Sequence, residues 1–206
     1  MQINEKFGQL ASDEVIDQTT AALNKNGIQT FVVQSGEEAK KKILELIPAG
    51  AEIMNMTSTT LETVSIVDEV TKSGKLDSVR NKLDSMDRKT QGREMQKMGA
   101  APEWTVGSVH AVTQNGEVLI ASATGSQLPA YAYGAGHVVW VVGAQKLVKN
   151  FADGLKRLYE YSLPLEDVRA RKVYGMGSGI NKILVVNKEV VPDRITMIIV
   201  KEKLGF

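Results

Sequence analysis

The stretch "IQTFVVQSGEEAKKKILELIPAGAEIMNMTSTTLE", residues 28–62, decides the fold class because two short apolar runs flank one amphipathic segment. The first run, "IQTFVV", predicts a strand. Ser35, with Glu38 three places later, forms a capping-box pattern that predicts the start of a helix. The apolar residues that follow recur at helical spacing, and Pro48 predicts the end of that helix.

The same order of elements continues on both sides of this unit. Upstream, Ser12 as N-cap and Asn26-Gly27 as a C-terminal signal predict a helix over residues 13–26. Downstream, "AEIMNM" predicts a second strand, and Thr59 with Glu62 predicts a capped helix that continues through Val67. Strands that alternate with helices predict an α/β domain with a parallel sheet.

The second half of the chain adds strands of two kinds. "TVGSVHAVT" and "EVLIAS" are strand-like runs joined by Asn115-Gly116, the strongest short-range hairpin signal. "HVVWVVG" is a continuous apolar run of the buried-strand type, and "KILVVN" and "RITMIIV" predict two more strands. Between them, "AQKLVKNFADGLKRLYEY" has Leu147, Phe151 and Leu155 at helical spacing. The predicted fold is therefore α/β, with a mostly parallel sheet, one antiparallel hairpin and flanking helices.

The length of 206 residues predicts a single domain over residues 1–206. Within it, residues 76–98 are rich in charge, which is typical of solvated helices, and Gly92 predicts a flexible joint between them. This segment could project as an arm for self-association, or it could be an ordinary solvated surface. The first of these two interpretations predicts a homo-oligomer.

Composition limits the classes of function. The formal net charge of +1 gives no electrostatic attraction to nucleic acid. With no cysteine, the chain has no thiolate metal site, iron–sulfur cluster or cysteine nucleophile, and we predict neither a metal nor a cofactor. No signal-peptide pattern and no apolar run of membrane-spanning length is evident, so we expect a cytoplasmic protein without a membrane association.

The loop "MTSTTLE" is the first candidate ligand site. Thr57, Ser58, Thr59 and Thr60 lie between a predicted strand end and a helix start, where hydroxyls and unpaired backbone N–H groups favour an anion. The alternative is that Thr59 only caps the helix and its neighbours face water. Capping explains one of the four residues.

A second polar turn, "TGSQ", contains Thr124, Gly125, Ser126 and Gln127 ahead of a predicted helix. It lacks the lysine and the spacing of a nucleoside-triphosphate loop. "GMGSGINK", residues 175–182, has glycines at every second position and does not match a dinucleotide fingerprint, so a flexible turn is its simpler interpretation.

Four single residues are of types that can carry chemistry or bind a metal. Glu117 beside the predicted hairpin turn is the candidate catalytic carboxylate, against the alternative of an exposed glutamate without a role. Lys146 follows a buried strand, where ligand contact and simple solvation are both common for lysine. His110, in the predicted strand "TVGSVHAVT", and His137 have no metal-ligand partners at useful spacing, so both are predicted to be structural.

With these segments placed, the chain resembles the LUD domain family, the lactate-utilisation proteins of the LutC and YkgG type. The resemblance depends on "LNKNGIQTFVVQSGEEAKKKILELIPAGAEIMNMTSTTLE", "VGSVHAVTQNGEVLIASATGSQLPAYAYGAGHVVWVVGAQKLVKN" and the closing "RITMIIVKEKLGF". These three segments span most of the chain, and the middle one carries most of the similarity.

The resemblance implies a fold like that of sugar-phosphate isomerases, glucosamine-phosphate deaminases and coenzyme A transferases. It also implies that the "TSTTLE" loop, the "QNGE" turn, the "TGSQ" loop and the "GAQK" strand end line one cleft. The candidate catalytic residue is then Glu117, and the candidate ligand-binding residues are Thr57, Ser58, Thr59, Thr60, Gln114, Asn115, Gly116, Thr124, Gly125, Ser126, Gln127 and Lys146.

Two departures from the family pattern affect the expected chemistry. Many relatives have an acidic residue before the tight turn where this chain has Gln114, so an acid/base role is lost there or moves to Glu117. Relatives often have Gly-Asn-Arg in the second loop, whereas this chain has Gln127 in place of the arginine, which removes a bidentate anion-binding group.

Three functions follow from the resemblance and from the residues. The first is a non-redox component of lactate oxidation to pyruvate, which binds a small anion and works with iron–sulfur partner subunits. The second is a stand-alone enzyme on a sugar phosphate or an acyl-coenzyme A, by analogy of fold. The third is a regulatory module that senses a small carboxylate. The sequence leaves open whether the chain is an enzyme.

Overall fold

The computed structural model describes residues 2–206, which form two β-sheets flanked by helices. The strands are β1 Gln29–Val33, β2 Glu52–Asn55, β3 Asp77–Ser78, β4 Trp104–Gly107, β5 Ala111–Thr113, β6 Val118–Ser122, β7 His137–Gly143, β8 Leu147–Val148, β9 Lys182–Val186 and β10 Ile195–Val200. The helices are α1 Asp13–Lys25, α2 Gly36–Leu46, α3 Thr59–Thr63, α4 Ile66–Lys72, α5 Val79–Asp84, α6 Arg88–Ala100, α7 Phe151–Arg157 and α8 Leu163–Tyr174.

The large sheet has six strands in the order β1-β10-β7-β4-β2-β3, and every pair in it is parallel. The small sheet has the order β8-β5-β6-β9 and includes the predicted antiparallel hairpin β5-β6. The α/β prediction, a mostly parallel sheet with an antiparallel hairpin, is therefore confirmed.

Both faces of the large sheet are covered, which explains why its central strands are apolar at successive positions. On β7, Trp140 and Val142 pack into the core that the two sheets share, and Val139 and Val141 pack into the core beneath α2, α3 and α4. A third cluster, between the small sheet and the segment that ends in α8, is centred on Leu119 and Leu158.

Local signals placed the first helices correctly. The backbone N–H of Val15 donates to Ser12 Oγ at the start of α1, and that of Glu38 donates to Ser35 Oγ at the start of α2. Gly27 has a φ of +80° directly after the α1 C-cap, the left-handed geometry that glycine adopts most readily.

The capped helix predicted from Thr59 through Val67 is wrong in two respects. Ser58 is the N-cap and makes no side-chain capping bond, and the helix stops at Thr63. Ser65 adopts a φ of 54°, which breaks the chain into the separate helices α3 and α4. The apolar periodicity continues across the break, so periodicity alone could not show it.

The charged segment 76–98 contains the short strand β3, helix α5 and most of helix α6, and its joint does not lie at Gly92. Helix α6 continues through Gly92, and the chain turns instead between α5 and the N-cap Asp87. Further on, "TVGSVHAVT" is not one strand, because Ser108 to His110 leave the large sheet and β5 begins the small one. The helix predicted from Leu147 begins only at Phe151, since Leu147 pairs with Val112 in the small sheet.

Candidate functional site

Parallel strands bring their carboxyl ends, and the loops that follow them, to one edge of the large sheet. At this edge β2 ends at Asn55, β4 at Gly107, β7 at Gly143 and β10 at Val200. Two neighbouring features occupy the edge: a closed cluster around Lys146 and an open cavity beside Arg80.

The closed cluster is centred on the ammonium group of Lys146, a residue only 2% exposed. Its Nζ donates to Thr60 Oγ1 at 2.9 Å, to Ser108 Oγ at 3.0 Å and to the Val109 carbonyl at 3.1 Å. The short 3₁₀ turn Ala144–Lys146 that follows β7 points the lysine back toward the ends of β2 and β4. The predicted ligand residues Thr60 and Lys146 are therefore in direct contact.

A count of protons shows which form of Lys146 fits this network. The Thr60 hydroxyl donates to the Leu204 carbonyl at 3.1 Å, and the Ser108 hydroxyl donates to the Val141 carbonyl at 2.7 Å. Both hydroxyl oxygens are thus acceptors toward Nζ, and a carbonyl can only accept. Three acceptors need three protons, so the charged ammonium satisfies the network and a neutral amine would not.

Arg157, at the end of α7, is the second buried cation of this cluster and is fully buried. Its Nε donates to the Gln145 carbonyl at 3.3 Å, and its Nη1 donates to Ser162 Oγ at 3.0 Å and to the His110 carbonyl. Its Nη2 is buried without a partner. Burial lowers the pKa of Arg157 to about 10, which leaves it protonated at neutral pH.

Charge and burial act together on the neighbouring groups. Burial, and then the charge of Arg157, lowers the pKa of Lys146 well below its ordinary value, against the three acceptors that favour its ammonium form. Burial and these two cations lower the pKa of His110 to about 3, so its imidazole is neutral and Nδ1 accepts the backbone N–H of Ala121 at 3.1 Å. The cluster thus concentrates positive charge.

The open cavity, of about 470 Å³, lies beside the end of β2. Arg80 Nη2 donates to the Asn55 carbonyl at 2.8 Å, which holds the guanidinium at the cavity. Asn55 is 4% exposed, and its side-chain Oδ1 is buried without a partner. The residues that line it are Asn55, Met56, Thr57, Ser58, Glu62, Val67, Asp68, Thr71, Lys72, Arg80, Asn81 and Asp84.

Residues of the "TSTTLE" loop lie at both the open cavity and the lysine cluster. Thr57 and Ser58 line the cavity, whereas Thr60 faces the lysine cluster. Thr59 lies beside Gly205: a Cβ atom added at Gly205 would be 2.6 Å from Thr59 Oγ1. The loop therefore joins the cavity to the cluster.

The "QNGE" turn makes its described contacts away from both features. The side chain of Asn26, at the end of α1, donates to the Asn115 carbonyl at 2.9 Å, and Gly116 packs against the backbone of Ala22. The Gln114 N–H donates to the Val148 carbonyl at 3.0 Å. The Glu117 carboxylate accepts the Thr113 hydroxyl at 2.6 Å, a bond within the hairpin itself.

The "TGSQ" loop also forms its own network. Ser122 Oγ donates to Gln127 Oε1 at 2.9 Å and accepts the Gly125 N–H at 2.8 Å, while Thr124 Oγ1 donates to Ser126 Oγ at 3.2 Å. Lys182 Nζ donates to the Thr124 carbonyl at 2.6 Å. None of these described contacts reaches Lys146 or Arg80, so the structure joins two of the four segments that the resemblance groups in one cleft.

Sequence reasoning missed Arg80, Arg157, Ser108 and Asn55. Arg157 is the last residue of α7, a position where a basic side chain is usually solvated. Arg80 lies in the charged segment whose composition predicts solvated helices. Asn55, the last residue of a buried strand, was the one with a usable signal, because polar residues at the carboxyl ends of parallel strands meet at one edge.

Residues 2–206 contain neither a metal-binding group of side chains nor a membrane-spanning helix. No three His, Asp or Glu side chains there are grouped so that they could hold a metal ion. None of the helices in that range has the length and apolar character needed to cross a membrane.

Three solved protein structures are similar to this chain to different degrees. A solved DUF162 family protein from Deinococcus radiodurans is similar over 93% of this chain and 99% of its own, with a TM-score of 0.56 and 12% identity. Ribose 5-phosphate isomerase from Plasmodium falciparum aligns over 77% of this chain and 79% of its own, with a TM-score of 0.37 and 16% identity. The eIF2B beta subunit of Chaetomium thermophilum aligns over 68% of this chain and 42% of its own, with a TM-score of 0.32 and 14% identity.

No curated protein sequence matches this chain. The family model of the LUD domain matches residues 16–200, which include both sheets, Lys146, Arg157 and the cavity. The chain therefore belongs to the LUD domain family.

Proposed function

We propose that this protein acts in lactate utilisation as a component that binds a small hydroxylated organic anion in the Arg80 cavity. The observation that carries the proposal is that Arg80 and Asn55 line one cavity and that the buried Oδ1 of Asn55 has no hydrogen-bond partner. The chain has no cysteine for redox centres, so iron–sulfur partner subunits would carry the electrons.

Arg80 supplies the group that attracts an anion. A guanidinium binds carboxylate and phosphate oxygens through two parallel hydrogen bonds. Of its nitrogens, Nη2 has a described partner, the Asn55 carbonyl, which fixes its position while leaving donors for a ligand. Burial lowers the pKa of Arg80 and Asp84 opposes this, but the pKa of an arginine lies so high that it stays charged.

Asn55 supplies selectivity for a hydroxyl group. Its buried Oδ1 is an acceptor, and an acceptor left without a partner in the interior costs about 1–3 kcal/mol. A ligand that carries both a carboxylate and a neighbouring hydroxyl can bind Arg80 with the first and donate to Asn55 with the second. Lactate is the simplest compound of this class.

The size of the cavity favours a second candidate. A volume of about 470 Å³ falls within the range of sites for metabolites larger than lactate. The carboxylates of Glu62, Asp68 and Asp84 could accept hydrogen bonds from the several hydroxyl groups of a sugar phosphate. The alternative function is therefore an enzyme or sensor that takes a sugar phosphate at the same place.

Isothermal titration with lactate, propionate, pyruvate and ribose 5-phosphate tests the proposal. For Arg80→Gln, we expect the affinity for the bound anion to fall about 10- to 100-fold, the loss of one charge-assisted interaction. Arg93→Gln, which removes an exposed arginine of α6 bonded to Gln96, should bind as the wild type does. Equal affinities in the two variants would refute the assignment of Arg80.

A second comparison tests the role of Asn55. In the wild type, lactate should bind more tightly than propionate, which has the same carboxylate but no hydroxyl. In Asn55→Leu, which keeps a similar volume without an acceptor, this preference should disappear. If ribose 5-phosphate binds and lactate does not, the sugar-phosphate alternative replaces the lactate assignment.

A further inference from the structure

The cluster around Lys146 is a second concentration of positive charge, separate from the cavity. Lys146 and Arg157 are both buried, and neither has an acidic partner among the ion pairs of residues 2–206. Buried charges in proteins are normally paired. Hydroxyl and carbonyl oxygens solvate these two cations in part, but Arg157 Nη2 has no partner.

Residues 201–206, here called the covering segment, close this cluster from one side. Gln145 holds the segment: its Nε2 donates to the Leu204 carbonyl at 2.9 Å and to the Gly205 carbonyl at 3.2 Å. The Leu204 N–H donates back to Gln145 Oε1 at 3.3 Å, and the Thr60 hydroxyl donates to the same Leu204 carbonyl. Leu204 is 2% exposed, so the covering segment packs its side chain into the protein interior.

The groups that hold the covering segment are the groups that would bind an oxyanion. The Leu204 carbonyl accepts both from Gln145 Nε2 and from Thr60 Oγ1, and Thr60 in turn accepts from Lys146 Nζ. Once the segment lifts, the amide and hydroxyl donors lose their carbonyl acceptor. Arg157 Nη2 adds a donor that already lacks a partner. Lys146 keeps its three protons on Thr60, Ser108 and Val109 and contributes its positive charge, and no carboxylate belongs to the set.

We propose that Thr60, Gln145, Lys146 and Arg157 form a second binding site, for a small oxyanion, which the covering segment closes and exposes when it lifts. The ligand is a carboxylate or a phosphate, since both present the required acceptor oxygens. The site does not depend on the Arg80 cavity, because none of these four residues lines that cavity.

A substitution at Gly205 can open the segment without replacing any of the donor residues. It has a φ of +58°, and an added Cβ would lie 2.6 Å from Thr59 Oγ1, 2.6 Å from Thr60 Oγ1 and 2.8 Å from Thr60 N. Gly205→Ala should therefore prevent the segment from seating. Gly50→Ala is the matched control, because Gly50 has a φ of +77° but nothing within 4 Å of the added Cβ.

The measurement is the rate at which an amine-reactive reagent labels Lys146, followed by peptide mass spectrometry. Labelling should be slow in the wild type and in Gly50→Ala, and about tenfold faster in Gly205→Ala, as for a loss of roughly 1.4 kcal/mol in segment closure. Inorganic phosphate or lactate should then slow the labelling of Gly205→Ala toward the wild-type rate. The anion that protects at the lower concentration identifies the class of ligand.

Three variants separate this site from the cavity and from a folding defect. Protection should persist in Arg80→Gln combined with Gly205→Ala, and it should be lost when Arg157→Lys is combined with Gly205→Ala. Gln145→Leu, which releases the segment by another route, should reproduce the faster labelling. Two results would overturn the proposal: fast labelling of Lys146 in Gly205→Ala that neither anion slows, or the same labelling rate in Gly205→Ala as in the wild type.

Discussion

At the scale of single residues, His110 shows how the buried cations determine the chemistry of their neighbour. Its Nδ1 accepts the Ala121 N–H, a bond that only the unprotonated nitrogen can make. Burial, Lys146 and Arg157 all disfavour its imidazolium form and lower its pKa to about 3. The neutral histidine is therefore part of the folded structure, as the sequence predicted, though it lies between strands and not within one.

This pKa predicts how stability depends on pH. In the unfolded chain the histidine pKa is about 6.5, so between about pH 6.5 and pH 3 the unfolded state binds a proton that the folded state does not. Stability should be unaffected by His110 above pH 6.5 and should fall by up to about 1.4 kcal/mol per unit as the pH drops below it. Urea unfolding between pH 7 and 4.5 measures this slope.

The control for the pH prediction is His110→Asn, which retains an acceptor for the Ala121 N–H but does not titrate. Its stability should depend less on pH across the same window, even if it is lower at pH 7. His137→Gln removes the other histidine and should leave the contribution of His110 in place. Parallel pH curves for the wild type and His110→Asn would contradict the assignment.

At the scale of elements, α6 shows a helix that continues through a glycine. Asp87 caps it, with Oδ1 accepting the Lys89 N–H at 2.9 Å and the Asp87 N–H donating to Gln91 Oε1 at 2.9 Å. Glycine inside a helix costs about 1 kcal/mol relative to alanine, which the cap and the remaining turns offset. Gly92 therefore lowers helix stability without ending the helix.

Gly92→Ala should accordingly stabilise the protein by about 0.5–1 kcal/mol. The added Cβ meets nothing within 4 Å, so no steric cost opposes the gain in helix propensity. Gly74→Ala has equally open space but a φ of +71°, and it should be destabilising. Unfolding midpoints in urea for the two variants should move in opposite directions, and a shared direction would be evidence against this account.

The elements also show what the sequence could predict. Local signals located α1, α2, β7 and the β5-β6 hairpin, because capping groups, apolar runs and Asn-Gly act within a few residues. The break at Ser65 and the transfer of the chain between sheets after Gly107 depend on packing against distant segments. The family resemblance grouped the loop of Thr60 with Lys146, whereas no local signal in the sequence links Gln145 to Leu204.

At the scale of the whole molecule, the two sheets share one core. Val112, Val118 and Ile120 of the small sheet belong to the same buried cluster as Trp140 and Val142 of the large sheet. A shared core of this kind couples the unfolding of the parts that contribute to it. The predicted single domain therefore has a physical test in the cooperativity of unfolding.

The tryptophans make that test possible, because Trp104 in β4 and Trp140 in β7 both report on the large sheet. Leu119→Ala truncates a buried side chain of the small sheet whose cluster contains no residue of the large sheet, and it should cost about 2–5 kcal/mol, the usual range for such a truncation in a core. If the sheets unfold together, tryptophan fluorescence and far-UV circular dichroism should shift to the same lower urea midpoint. Val190→Ala, at a position 87% exposed, should move neither. An unshifted fluorescence transition beside a biphasic dichroism curve would instead mean that the sheets unfold independently and that the single-domain prediction fails.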